Sequence, residues 1–115
     1  VAVTDAMRAA GLGEGEFTLG GLPVIVKDGQ ARLHSGALAG SVLTMDRAVQ
    51  NLVRLVGLDL PAAVAMATLN PARRLGLDHR KGSLAVGKDA DFLILDEHLN
   101  VKTTVIGGEV VYDVR

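Results

Sequence analysis

The chain contains no cysteine and no tryptophan, and two phenylalanines and one tyrosine are its whole aromatic content. Without thiols, disulfides and thiolate metal sites are excluded. With so few rings, aliphatic side chains and alanine must fill the core, and 49% of the residues are hydrophobic. An excess of one charge is also missing. Twelve Lys and Arg stand against 13 Asp and Glu, interspersed, for a net charge of −1. Nucleic acids and anionic membranes select clustered basic surfaces, so neither is an expected partner. No apolar run approaches the roughly 20 residues that span a bilayer, and the N-terminus has no basic region or cleavage pattern of a signal peptide. A soluble, cytoplasmic protein is expected. At 115 residues the chain can form a domain with its own core, but a complete (β/α)8 barrel needs about 250 residues.

Glycine is plentiful, with 14 residues, and it punctuates the chain. Residues 1–4, Val-Ala-Val-Thr, predict a strand buried on both faces that ends at Asp5. The glycine- and alanine-rich residues 6–16 predict a loop. Residues 17–26 and 31–33 flank Lys27-Asp28-Gly29-Gln30, and Asp-Gly supplies the positive φ angles of a tight hairpin. Residues 34–43 read as a small-residue loop. Met45, Ala48, Val49, Leu52, Val53 and Val56 have helical spacing, which predicts a helix over 45–56 with Thr44 as N-cap and Gly57 as C-cap. A second helix starts at Asp59, carries Pro61 in its first turn, and is expected to stop near Asn70, ahead of Pro71. One more turn, 72–75, ends at Gly76. Beyond residue 80 the pattern turns to short strands, over 82–86, 90–95, 101–106 and 109–114, with Gly107-Gly108 as a hairpin turn.

Asp5 is the first candidate for chemistry. A carboxylate at the C-terminal end of a strand lies where α/β barrels keep their active sites, and it can shuttle a proton of a metal-activated water. The same Thr-Asp before alanine also suits a turn or helix cap. The histidines, His34, His79 and His98, form no His-x-His or His-x3-His pair. They read as surface residues, so no complete metal site can be assembled, since zinc needs three or four converging ligands. Leu38-Ala39-Gly40-Ser41 precedes a helix, where small residues let backbone N–H groups approach an anion, although an ordinary connector has the same look. In residues 82–91 the two glycines punctuate a strand, Asp89 suits a turn, and Asp91 is expected to bond nearby backbone.

Thr4-Asp5-Ala6-Met7, Leu38-Ala39-Gly40-Ser41-Val42-Leu43-Thr44-Met45, Thr68-Leu69-Asn70-Pro71-Ala72-Arg73 and Lys81-Gly82-Ser83-Leu84-Ala85-Val86-Gly87-Lys88-Asp89-Ala90-Asp91-Phe92 occur in this order. In these segments the chain resembles the N-acetylglucosamine-6-phosphate deacetylases of the amidohydrolase superfamily. The last segment is common to the superfamily; the first two point to the sugar-phosphate deacetylases.

The resemblance implies an α/β fold, the C-terminal third of a metal-dependent (β/α)8 barrel with a small β-sandwich. Residues 1–80 would supply the last barrel strand, a hairpin insertion and the final helices, and residues 81–115 strands of the sandwich. It implies hydrolysis of the acetamide of N-acetylglucosamine 6-phosphate, with Asp5 as catalytic acid and base and the Leu38, Ala39 and Gly40 backbone against the sugar phosphate. One or two divalent metals, zinc or iron, are implied, with Asp5 a ligand in the two-metal case. The remaining ligands lie on earlier strands that this chain does not contain, so the chain alone is expected to be inactive. It should persist only with the rest of the barrel, and the whole enzyme is expected to be a homodimer. Two alternatives stay open: another amidohydrolase acting on a cyclic or aryl amide, and a non-catalytic α+β binding module.

Overall fold

Paired glycines and an Asp-Gly turn fold the first third of the chain into a meander. The computed structural model describes residues 1–114; Arg115, the last residue of the expected 81–115 segment, lies outside the described residues. Strand β1 (Gly15–Leu19) turns through Gly20-Gly21 into β2 (Leu22–Lys27), with Leu19 opposite Leu22. Both glycines have positive φ, +57° and +81°, as a two-residue hairpin loop requires. Residues 17–26, expected as one run, are therefore two strands divided by this turn. The Asp28-Gly29 turn forms as expected, at φ +51° and +70°, and joins β2 to β3 (Gln30–Leu33). A fourth strand, β4 (Leu38–Gly40), pairs with β3 across an irregularity at Ala31 and Arg32. The expected loop over 34–43 therefore contains a strand, because the open edge of β3 recruits it.

These elements belong to a compact unit, Val3–Ala48, whose sheet runs β1-β2-β3-β4. Alternation in β2 turns Val24 and Val26 inward, where they pack with Ala31, Met7 and Ala9. The buried members carry no ring, as the shortage of aromatics leads one to expect, and Phe17 packs against them half-buried.

The strand expected over residues 1–4 is not formed. Val1 and Val3 are 60% and 73% exposed, and the nearest β pairing is a parallel bridge between Ala6 and Ser41. A strand exists only through a ladder to neighbours, and none of the described residues runs beside 1–4 in such a ladder.

Helix α1 (Met45–Arg54) stops two residues before the expected Val56. The chain closes around Gly57, at φ +80°, with the Leu58 N–H bonded to the Leu52 carbonyl at 3.0 Å. The second compact unit takes in Val1–Ala2 and the chain from Val49 onward. In α2 (Leu60–Ala67), Asp59 is the N-cap and accepts from the Ala62 N–H at 3.4 Å. That helix ends at Thr68, and α3 (Leu69–Arg74) starts two residues ahead of Pro71. The break falls earlier than expected because a proline in a first turn loses no intrahelical bond and so starts a helix.

Strands β5 (Phe92–Leu95), β6 (Val101–Ile106) and β7 (Glu109–Asp113) form a second antiparallel sheet in that order. Gly107-Gly108 is its expected hairpin turn, with Ile106 opposite Glu109. Residues 82–86 form no strand. Gly82, at φ +86°, lies so close to α3 that a Cβ there would stand 2.8 Å from the Ala72 Cβ. Gln50, buried on α1, donates through Nε2 to the Leu99 carbonyl at 2.9 Å. Among the described residues no helix is long and apolar enough to cross a membrane.

Candidate active site

Asp5 is exposed and has a left-handed backbone, φ +48°. Asp tolerates this conformation better than most residues, yet outside a turn it needs support from the neighbouring chain. The support is main chain. Ala6 forms the parallel bridge to Ser41, and the Met7 N–H donates to the Ser41 carbonyl at 2.8 Å. Ser41 directly follows β4, so the Asp5 segment is tied to the strand that carries Leu38, Ala39 and Gly40. Leu38 is exposed, Ala39 half-buried against the core. Gly40 faces Met7: a Cβ there would lie 3.4 Å from both the Cβ and the Sδ of Met7. As the last strand in its sheet, β4 keeps one edge free of a full ladder.

Beside this strand lies an open depression of about 360 Å³, lined by residues 29–31, Leu38, residues 40–44 and Arg47. Leu38 and Gly40 line it; Ala39 and Asp5 do not. At the N-terminal turn of α1 the carboxyl of Asp46 is held below the usual carboxylate range, first by a hydrogen bond with the Thr44 side chain. That end of the helix already has its negative partner.

No group of three or more His, Cys, Asp and Glu able to hold a metal occurs among the described residues. His34, His79 and His98 are all exposed. His79 Nδ1 lies 3.1 Å from the Gly76 carbonyl and His98 Nε2 3.6 Å from Glu97. The donors among the described residues do not fit a metal.

The Lys81–Asp91 segment is a clamp. Lys81 Nζ contacts Asp89 at 2.8 Å and also pairs with Asp91, while Arg80 Nη2 reaches Asp89 at 2.7 Å. Asp91 Oδ1 accepts the Gly107 N–H at 2.8 Å, fixing the β6–β7 turn. The bond is to backbone, as expected of Asp91, but to a turn 16 residues further along the chain rather than to nearby backbone. Hydrogen bonding to Asp89, then Asp91, raises the Lys81 pKa. Asp89 is lowered by Lys81 and then Arg80, and Asp91 by Lys81 and then the Gly107 amide. Neither the ion pairs nor the Met7–Ser41 pairing is visible in the sequence. Only the apolar character of Met7, two residues after Asp5, hints at the latter.

The chain is similar to known proteins over nearly all of its length. It is 45% identical to the N-acetylglucosamine-6-phosphate deacetylase of Bos taurus, over 100% of this chain and 28% of that protein. It is 46% identical to the N-acetylgalactosamine-6-phosphate deacetylase of Escherichia coli O157:H7, over 96% of this chain and 29% of that one. The crystal structure of N-acetylglucosamine-6-phosphate deacetylase from Pasteurella multocida superposes with a TM-score of 0.88 at 37% identity, covering 96% of this chain and 29% of that chain. The chain thus spans less than a third of the length of each of these three proteins. Residues 21–111 match the sequence model of the Amidohydrolase family, and the chain belongs to that family.

Proposed function

We propose that the protein containing this chain hydrolyses the acetamide of N-acetylglucosamine 6-phosphate to glucosamine 6-phosphate and acetate, a step of amino-sugar catabolism. The observation that carries this reading is the 45% identity, across the whole chain, to a deacetylase named for that substrate. In this reading Asp5 is the acid and base. Its carboxylate takes a proton from water as the water oxygen bonds to the acetamide carbonyl carbon. It then gives that proton to the sugar nitrogen as the C–N bond breaks. One carboxylate suits both roles in sequence, base first and acid second. Exposure of Asp5 on a tethered segment supports the assignment. Leu38, Ala39 and Gly40 would contact the sugar phosphate, a role that the open edge of β4 supports.

Deacetylases of this family are generally metal-dependent. Among the described residues no group fits such a site, so the metal, zinc or iron in our reading, would be held by residues outside this chain. We assign residues 1–80 to a (β/α)8 catalytic barrel and 81–115 to a small β-sandwich. Exposed Leu93, Val110 and Tyr112 on the β5–β7 sheet support the second assignment, since apolar surface of that kind calls for cover. A cytoplasmic homodimer completes the reading.

A second substrate is favoured by the 46% identity to the N-acetylgalactosamine-6-phosphate enzyme; the two sugars differ only in the configuration at C4. Acetate release by the complete protein from each sugar phosphate tests both readings. Faster release from the gluco epimer supports the first and faster release from the galacto epimer the second. Release from neither, with turnover of a cyclic or aryl amide, overturns the deacetylase reading.

A further inference from the structure

Among the described residues, three other than glycine have left-handed backbones: Asp5, Asp28 and Leu99. Asp28 is accounted for by its hairpin turn. Leu99 lies in a turn organised by Asp96, which accepts from the His98 and Asn100 amides at 2.9 and 2.8 Å, and Gln50 holds its carbonyl. Asp5 is in no hairpin, and the two residues after it are both tied to Ser41.

The second of these, Met7, is anchored in two ways. Its side chain is buried in the core with Val24, Val26 and Ala31, and its N–H is bonded to the Ser41 carbonyl. Its side chain also lies beside Gly40, where a Cβ would stand 3.4 Å from both the Cβ and the Sδ of Met7. Strained backbone persists where the surroundings over-determine it, and Met7, two residues from Asp5, is anchored through both its side chain and its main chain.

We infer that Met7 is a positioning residue, which sets the Asp5 carboxylate in register with the Leu38–Gly40 strand. It touches no reacting atom. The inference rests on the reading of Asp5 as acid and base. A methionine is flexible enough to fill the space over a glycine Cα, and truncating it would let the Asp5 segment shift relative to the strand. Misplacement of a catalytic group by about 1 Å can cost up to a hundredfold in rate.

The test uses the complete protein, with acetate release from N-acetylglucosamine 6-phosphate as the readout. Met7→Ala should lower kcat on the order of ten- to a hundredfold and leave KM within about twofold, because substrate contacts are kept. Met7→Leu, which conserves volume, should restore kcat. If Met7→Ala does not fold, Met7→Val is read the same way. An unchanged kcat in folded Met7→Ala or Met7→Val overturns the inference, as does a loss that appears only in KM. Asp5→Asn is assayed in parallel: normal turnover there overturns the reading of Asp5 itself, whereas an inactive Asp5→Asn beside a fully active Met7→Ala overturns only the role of Met7.

Discussion

Met7 and Ser41 are joined main chain to main chain, the Met7 N–H donating to the Ser41 carbonyl at 2.8 Å. With the adjacent Ala6–Ser41 bridge, this fastens the residue after β4 to the segment after Asp5. The two segments that carry the proposed proton shuttle and the proposed phosphate contact are therefore held as one piece.

Gly82→Ala should destabilise the protein by roughly 1–3 kcal/mol, through overpacking and an unfavourable φ. The new methyl would stand 2.8 Å from the Ala72 Cβ, 3.0 Å from the Leu69 Cα and 3.1 Å from the Thr68 carbonyl oxygen, at φ +86°. Neither of the last two can yield without moving backbone. Thermal or denaturant unfolding of the complete protein measures the effect, and an unchanged midpoint would contradict the packing described.

The Lys81, Asp89 and Asp91 clamp predicts a pH dependence on both sides of neutrality. Asp89 and Asp91 titrate below the ordinary aspartate value of 3.8. Their stabilisation is present above that value and lost as pH falls through the lowered folded values. Lys81 titrates above the ordinary lysine value of 10.5, so its contribution is present below that value and lost as pH rises through the raised folded one. Asp91→Asn keeps an acceptor for the Gly107 N–H but removes the charge. It should flatten the fall in melting temperature on acidification, while Asp91→Ala should lower stability at neutral pH as well. Added salt should weaken the clamp, because its members are partly exposed. A melting temperature indifferent to acid and salt in all three proteins would show that the clamp contributes no stability.

Gln50→Leu should cost roughly 1–3 kcal/mol, because it removes a donor from a part-buried carbonyl. Gln50 is 2% exposed and its Nε2 holds the carbonyl of Leu99, a residue with φ +63°. Denaturant unfolding of Gln50→Leu beside the parent checks this, and equal midpoints would contradict it.

What could be read from the sequence was local. Asp28-Gly29, Gly107-Gly108, Asp59 with Pro61, and the helical spacing from Met45 each announce their own geometry within a few residues, and each forms, although the helix from Met45 stops at Arg54 rather than Val56. Strand β4 was not legible, since nothing in Leu38-Ala39-Gly40 prefers a strand until the edge of β3 is beside it. The expected strand over 1–4 failed for the converse reason: Val-Ala-Val-Thr is strand-like, but a ladder needs a neighbour. Among candidate site residues, Asp5 and the Leu38–Gly40 segment could be named from sequence. Their connection through Met7 and Ser41 could not, because it joins positions 34 residues apart through main-chain atoms common to every residue. The Lys81 pairs were hidden likewise, since only folding brings Asp89 and Asp91 to one ammonium.

Metal binding gives a direct prediction about the chain by itself. No group of three or more potential ligands exists among its described residues, and a zinc site requires three or four. Calorimetric titration of the isolated chain with Zn²⁺ should show no stoichiometric tight site, and no acetate should be released from N-acetylglucosamine 6-phosphate with zinc or ferrous iron added. One equivalent of tightly held zinc would contradict the reading that the ligands lie elsewhere.

The proposed role of Asp5, moving the proton in amide hydrolysis, is tested by steady-state kinetics of Asp5→Asn in the complete protein. The substitution keeps the shape of the side chain, and asparagine tolerates the left-handed backbone at φ +48°. It removes the base. A fall in kcat for acetate release on the order of 10²–10⁴-fold is expected, the range for loss of a general acid and base, with KM changed little. A kcat close to that of the parent protein would contradict that role.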